Sequence, residues 1–304
     1  SNAMKPADLT NADRIALELG HAGRNAIPYL DDDRNADRPF TLNTYRPYGY
    51  TPDRPVVVVQ HGVLRNGADY RDFWIPAADR HKLLIVAPTF SDEIWPGVES
   101  YNNGRAFTAA GNPRHVDGWT YALVARVLAN IRAAEIADCE QVYLFGHSAG
   151  GQFVHRLMSS QPHAPFHAVT AANPGWYTLP TFEHRFPEGL DGVGLTEDHL
   201  ARLLAYPMTI LAGDQDIATD DPNLPSEPAA LRQGPHRYAR ARHYYEAGQR
   251  AAAQRGLPFG WQLQVVPGIG HDGQAMSQVC ASLWFDGRMP DAAELARLAG
   301  SQSA

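Results

Sequence analysis

Residues 146–151 read Gly-His-Ser-Ala-Gly-Gly, and no other feature of the chain restricts its fold as tightly. The hexapeptide follows the β-rich run Gln141-Val142-Tyr143-Leu144-Phe145. It opens a helical pattern over 149–160, with Phe153, Val154, Leu157 and Met158 at spacings of three and four. A strand that passes straight into a helix at Gly-x-Ser-x-Gly must reverse sharply. The serine then sits in a strained backbone conformation that exposes its hydroxyl. Gly146 and Gly150, two residues to either side, must lack side chains for strand and helix to approach. The Ala149 amide falls at the helix N-terminus, where unpaired N–H groups attract a developing oxyanion. Ser148 is therefore the candidate nucleophile.

The rest of the chain alternates short β-rich runs with longer helical patterns. Strands are predicted at 40–45, 56–60, 83–87, 141–145, 168–172, 208–212 and 262–266. Several are continuous apolar runs, as expected of strands covered on both faces. Helices are predicted over 117–134, where Leu123, Val124, Val127, Leu128 and Ile131 share one face, over 149–160 and over the Arg- and Ala-rich 236–255. The alternation predicts an α/β fold, a mainly parallel, doubly wound sheet with helices on both faces. No repeat, low-complexity segment or linker interrupts it. The expected organisation is an N-terminal extension over 1–39 and one domain over 40–304, with insertions near 174–205 and 217–235. Residues 4–40 are polar and mixed, and Asp31-Asp32-Asp33 within them reads as solvated loop rather than a metal site.

Composition narrows the partners. The 304 residues carry 26 Lys+Arg and 33 Asp+Glu, a net charge of −7, which disfavours nucleic acid. Cys139 and Cys280 cannot make a disulfide scaffold or a Cys-rich zinc site, although one bridge between them stays open. They read as small apolar residues. No apolar stretch approaches the roughly 20 residues that span a bilayer. Ser1-Asn2-Ala3 before Met4 looks like the remnant of a cleaved tag, and no signal-peptide core follows, so a cytoplasmic location is expected. Oligomeric state is not legible.

A serine nucleophile needs a base and a group that orients the base. His271, in Pro267-Gly268-Ile269-Gly270-His271-Asp272-Gly273 just after the last predicted strand, is the candidate base. His155, His163 and His167 lie in or near the helix after the serine and read as surface or structural. The acid should follow the preceding strand, where Gly213-Asp214-Gln215-Asp216 stands. Asp216, further into the loop, is assigned as the acid. Asp214 is its structural neighbour, bonding turn amides, and Asp220 and Asp221 are distant alternatives. A second oxyanion donor is expected from the loop after 56–60, with the Val63 amide as candidate and Leu64 as fallback. His61 either packs locally or touches substrate.

Taken together, His61-Gly62, Gly146-His147-Ser148-Ala149-Gly150, Gly213-Asp214-Gln215-Asp216 and Gly270-His271 resemble the α/β-hydrolase superfamily over roughly residues 40–284. The order Ser148, Asp216, His271 is that superfamily's order. Three features are similar to its polyhydroxybutyrate-depolymerase-like and feruloyl-esterase-like branch. They are His61-Gly62 followed by Asn66-Gly67-Ala68-Asp69-Tyr70, Val116-Asp117 opening a helix, and the Gly-His-Ser-Ala-Gly-Gly run with Val154 and Leu157 behind it. The chain departs from that branch in the 217–235 insertion and in showing no secretion signal.

The resemblance implies hydrolysis of a carboxylic ester through an acyl-enzyme, with no metal and no organic cofactor; a small-molecule ester is the expected partner, and the charge and the short apolar runs point away from nucleic acid and membrane. Trp95, Tyr101, Phe107, Trp176 and Tyr177 are candidates for an aromatic substrate wall, or else they pack the 174–205 insertion. Arg105 and Arg114 either hold a carboxylate or are solvated. The competing functions are a serine peptidase or amidase on the same triad and a non-catalytic binding protein on this fold.

Overall fold

The run Val56-Val57-Val58-Val59 divides its side chains between two cores. Val56 and Val58 join one hydrophobic cluster, and Val57 and Val59 join another. Leu84 and Val86 alternate with Ile85 and Ala87 in the same way, as do Val142 and Leu144 with Tyr143 and Phe145. Successive strand side chains point to opposite faces, so a strand covered on both faces must be apolar at every position.

In the computed structural model, which describes residues 8–300, this produces an eight-stranded sheet wrapped by helices. Ser1-Asn2-Ala3, the expected tag remnant, lies outside the described residues. The strands are β1 Gly23–Tyr29, β2 Phe40–Arg46, β3 Val56–Gln60, β4 Leu84–Thr89, β5 Val142–His147, β6 Phe166–Ala172, β7 Thr209–Gly213 and β8 Gln262–Val266. The helices are α1 Asn11–Glu18, α2 Gly67–Phe73, α3 Ile75–His81, α4 Gly97–Ser100, α5 Ala122–Ala133, α6 Ala149–Ser160, α7 Glu197–Ala205, α8 Pro228–Leu231, α9 Arg237–Arg255, α10 Gly273–Ala281 and α11 Ala292–Gly300. The sheet order is β1-β2-β4-β3-β5-β6-β7-β8. β2 runs antiparallel to both β1 and β4, and every pairing from β4 through β8 is parallel. Helices α1, α5, α6, α7 and α9 contribute to the first core, and α2, α3, α10 and α11 to the second.

The structure corrects the reading of the first forty residues. Thr10 caps α1 through a reciprocal bond with Asp13, and β1 adds an edge strand to the sheet. Only Ile27 and Tyr29 of β1 are buried, and Pro28 interrupts it, which an edge strand tolerates. Its apolar signal is correspondingly weak. Asp31 is buried rather than solvated, and Arg126 Nη1 of α5 donates to its Oδ2 at 2.7 Å. The expected helix over 117–134 is also shorter, because a 3-10 turn at Val116–Gly118 precedes α5.

Cys139 and Cys280 are free and buried, one in each core, so the bridge between them does not form. Among the described residues, no helix is long and apolar enough to cross a membrane, and no group of three or more His, Cys, Asp or Glu is placed to hold a metal. The parallel strands β3, β5, β6, β7 and β8 all end at one edge of the sheet. The loops leaving that edge carry Ser148, Asn173, Asp216 and His271.

Candidate active site

Ser148 leaves β5 with φ 62° and ψ −122°, a backbone region that side chains other than glycine rarely enter. Its N–H donates to Ala172 O at 2.9 Å, and its carbonyl accepts from Gly151 N and Gln152 N at 2.9 and 3.1 Å. The surrounding bonds therefore hold it there. A Cβ on Gly146 would overlap the Gly150 carbonyl, and one on Gly150 would overlap the Gln60 carbonyl. Both glycines are required by the close passage of α6 across β3 and β5.

Ser148 Oγ donates to His271 Nε2 at 2.9 Å, and His271 Nδ1 donates to Asp216 Oδ2 at 2.8 Å. Asp216 is 2% exposed, and its other oxygen lies 3.7 Å from the guanidinium of buried Arg237. Asp221 lies closer to that cation, accepting from Arg237 Nη1 at 2.9 Å. Asp214 points elsewhere. Its Oδ1 accepts from Gly268 N at 2.8 Å and from Gln215 Nε2 at 3.2 Å, tying the loop after β7 to the loop after β8.

The turn 62–65, closed by Arg65 N donating to Gly62 O at 3.1 Å, lies beside the nucleophile. A Cβ on Gly62 would stand 3.5 Å from Ser148 Cβ. The amides of Val63 and Leu64 in this turn, and of Ala149 at the start of α6, donate to no protein acceptor among the described residues. Three N–H groups are thus left for an oxyanion on either side of Ser148. His61 packs rather than facing substrate: it is buried, Nδ1 donates to Gly62 O at 2.9 Å, and Nε2 accepts from Phe90 N at 3.1 Å. Burial pushes its pKa down to about 3, which keeps Nε2 an acceptor.

Four of the aromatic candidates do not form a wall. Trp95 is buried between Phe40 and Phe90 and donates to Pro39 O at 3.1 Å. Tyr101 is buried too, stacked on His61, and its hydroxyl donates to His61 O at 2.6 Å. Tyr177 stacks on Tyr244 in the core, and Gln233 clamps its backbone. Trp176 is buried under the Arg156 guanidinium. These rings are buried and pack beneath the loops. Sequence alone could not separate these roles, because loop aromatics and core aromatics look the same without a contact map. The apolar side chains that do face solvent around the site are Val63, 44% exposed, Leu64, 78%, and Ile217, 46%.

Two residues that brace the candidate triad escape the sequence reading. Asn173, just past β6 and held at φ 44°, accepts from Gly213 N at 3.0 Å through Oδ1 and donates to Gly270 O at 3.1 Å through Nδ2. It thereby pins the start of the Asp216 loop to the His271 loop. His147 Nε2 lies 3.2 Å from the same Nδ2, and Tyr70 Oη lies 2.8 Å from His147 Nδ1. Burial, reinforced by His271 and Arg237, holds His147 well below the usual histidine range. It is a neutral prop, and its ring sits 4.7 Å from that of His271. The available signal was the asparagine directly after a buried strand, in a position that calls for left-handed backbone.

Asn173→Ala is expected to lower kcat by about tenfold to a hundredfold, since small misplacements of reacting groups have effects of that size. KM should change less. Asn173→Asp keeps the acceptor for Gly213 but loses the donor to Gly270, and should fall between. Steady-state kinetics on both variants checks this, and an unchanged kcat in Asn173→Ala would show that the clamp does not position the triad.

No protein-family model and no curated protein matches the chain. Among solved structures, LpqC from Bordetella parapertussis, described as a poly(3-hydroxybutyrate) depolymerase, is 99% identical with a TM-score of 0.96. The match covers 97% of this chain and 100% of that one. Poly(aspartic acid) hydrolase-1 from Sphingomonas sp. KT-1 is 33% identical with a TM-score of 0.82, over 86% of this chain and 98% of that one. An S-formylglutathione hydrolase from Agrobacterium tumefaciens, at 17% identity and a TM-score of 0.55, covers 88% of this chain and 99% of that one, and shares the fold. With relatives at this identity aligned along nearly their whole length, the chain belongs to the α/β-hydrolase superfamily, as a hydrolase of its esterase type.

Proposed function

We propose that the chain is a serine hydrolase of carboxylic esters that works through an acyl-enzyme, with Ser148, His271 and Asp216 as its triad. The observation that carries this reading is the unbroken relay from Ser148 Oγ to His271 Nε2 and from His271 Nδ1 to Asp216 Oδ2, at 2.9 and 2.8 Å. Ser148 attacks the ester carbonyl while His271 takes its proton. Asp216 holds the tautomer that leaves Nε2 free and stabilises the imidazolium that forms. The amides of Ala149 and Val63 receive the oxyanion. His271 then protonates the departing alcohol, and a water deprotonated by His271 repeats the attack on the acyl carbonyl to release the acid. Neither half-reaction calls on a metal or an organic cofactor.

The substrate class that fits is an ester of a short hydroxy acid, single or chained. The 99%-identical protein is described as acting on poly(3-hydroxybutyrate). The exposed Val63, Leu64 and Ile217 leave an apolar rim that a chain of such units can lie across. A second reading, amide hydrolysis on the same triad, draws support from the 33%-identical relative, since poly(aspartic acid) is joined by amides. Matched ester and amide substrates with one acyl group separate the two. The ester should exceed the amide in kcat/KM by about two orders of magnitude or more; the reverse order would assign the enzyme to amides.

A further inference from the structure

Tyr101 supports the oxyanion turn through His61. Its neighbours Glu99, Ser100 and Asn103 line a cavity of about 540 Å³ whose lining residues include none of Ser148, Asp216 and His271. Arg38, Arg105 and Arg114 line it together with Phe107 and Phe186, and the acidic lining residue is the exposed Glu99.

The three guanidinium groups are poorly compensated. Arg105 donates to the neutral Asn35 Oδ1 at 2.5 Å. Arg38 donates to Ile94 O at 2.7 Å, and its nearest carboxylate, the largely exposed Asp37, is 4.0 Å away. The Arg114 side chain donates to no protein acceptor and pairs with no carboxylate among the described residues. The Nε atoms of Arg38 and Arg114 are both buried without a hydrogen-bond partner among the described residues. Arg185 adds a fourth positive charge, 4.8 Å over the Phe107 ring. Burial and the two neighbouring arginines push Arg105 down to about 10, the direction expected of cations crowded without an anion. Buried N–H groups without acceptors are rare in folded proteins, and where they occur around a cavity a bound ligand can supply the missing acceptor.

We propose that this cavity is a second ligand site, separate from Ser148, that binds an organic monocarboxylate. The guanidinium fork matches a carboxylate in plane and spacing. The Arg114 guanidinium, which donates to no protein acceptor among the described residues, offers the unspent donors, Arg38 and Arg105 add their charge, and Phe107 and Phe186 offer an apolar wall for the body of the ligand. A small inorganic anion would satisfy the arginines and leave that wall bare. The site does not depend on the chemistry at Ser148.

Calorimetric titration with octanoate tests the proposal, using the full chain and its Arg114→Gln and Arg38→Gln variants, with octanol and inorganic phosphate as controls. Octanoate should bind the unaltered protein. Each substitution should weaken it by about tenfold or more, the scale of a lost charge-assisted bond. Octanol and phosphate should each bind at least about tenfold more weakly than octanoate. Without ligand, the melting temperature of Arg114→Gln should equal or exceed that of the unaltered protein, because one of the crowded like charges is gone. A misfolded variant would melt lower, and Arg38→Gln then decides the matter independently. Equal octanoate affinity in the unaltered protein and both variants overturns the proposal, as does phosphate binding as tight as octanoate.

Discussion

Ser148→Ala is expected to lower turnover of a carboxylic ester by about a thousandfold or more, because a nucleophile, its base and the orienting acid act as one unit. The residual rate should not vanish, since the amides proposed to hold the oxyanion, of Ala149 and Val63, are still in place for water attack. The fold should be unaffected. Among the described residues the hydroxyl's one hydrogen-bond partner is His271, and the bonds with Ala172, Gly151 and Gln152 that hold the strained backbone involve main-chain atoms of residue 148 alone. Kinetics and a melting curve on the same preparation check both statements. Turnover within tenfold of the unaltered protein would move the nucleophile to another side chain.

The two carboxylates after β7 should separate as widely. Asp216→Asn keeps the volume but loses the charge that holds the His271 tautomer, and turnover should fall by about 10⁴. The buried Arg237 retains Asp221 at 2.9 Å, so the variant should still fold. Asp214→Ala loses the acceptor for Gly268 N, an exposed bond worth about 1 kcal/mol at most. Its melting temperature should drop by about 2–4 °C, with turnover within about tenfold of the unaltered value. Measuring both quantities on both variants decides the assignment. Loss of turnover in Asp214→Ala with Asp216→Asn active would exchange the two roles.

What the sequence made legible follows from how local each signal is. Strand, tight turn and helix around Ser148 are contiguous, and the alternating core assignments of β3, β4 and β5 explain why their apolar runs stood out. β1 was hidden because an edge strand buries only Ile27 and Tyr29, and α1 because its short amphipathic stripe rests on Ile15 and Leu19. Asn173 was hidden because its partners, Gly213 and Gly270, are 40 and 97 residues away. The two roles open to Trp95, Tyr101, Trp176 and Tyr177 could not be separated for a related reason. A ring on a loop near the active edge faces either substrate or the core, and the long-range contacts that decide it leave no local pattern.

An acyl-enzyme on Ser148 is a covalent species, and one measurement addresses it directly. Turnover of an activated short-chain ester is quenched in acid during the first cycle, and the protein is digested and mapped by mass spectrometry. The peptide containing Ser148 should gain the mass of the acyl group, and the corresponding peptide of Ser148→Ala should not. An acyl group on any other side chain, or full turnover with no covalent adduct at all, would contradict the serine mechanism.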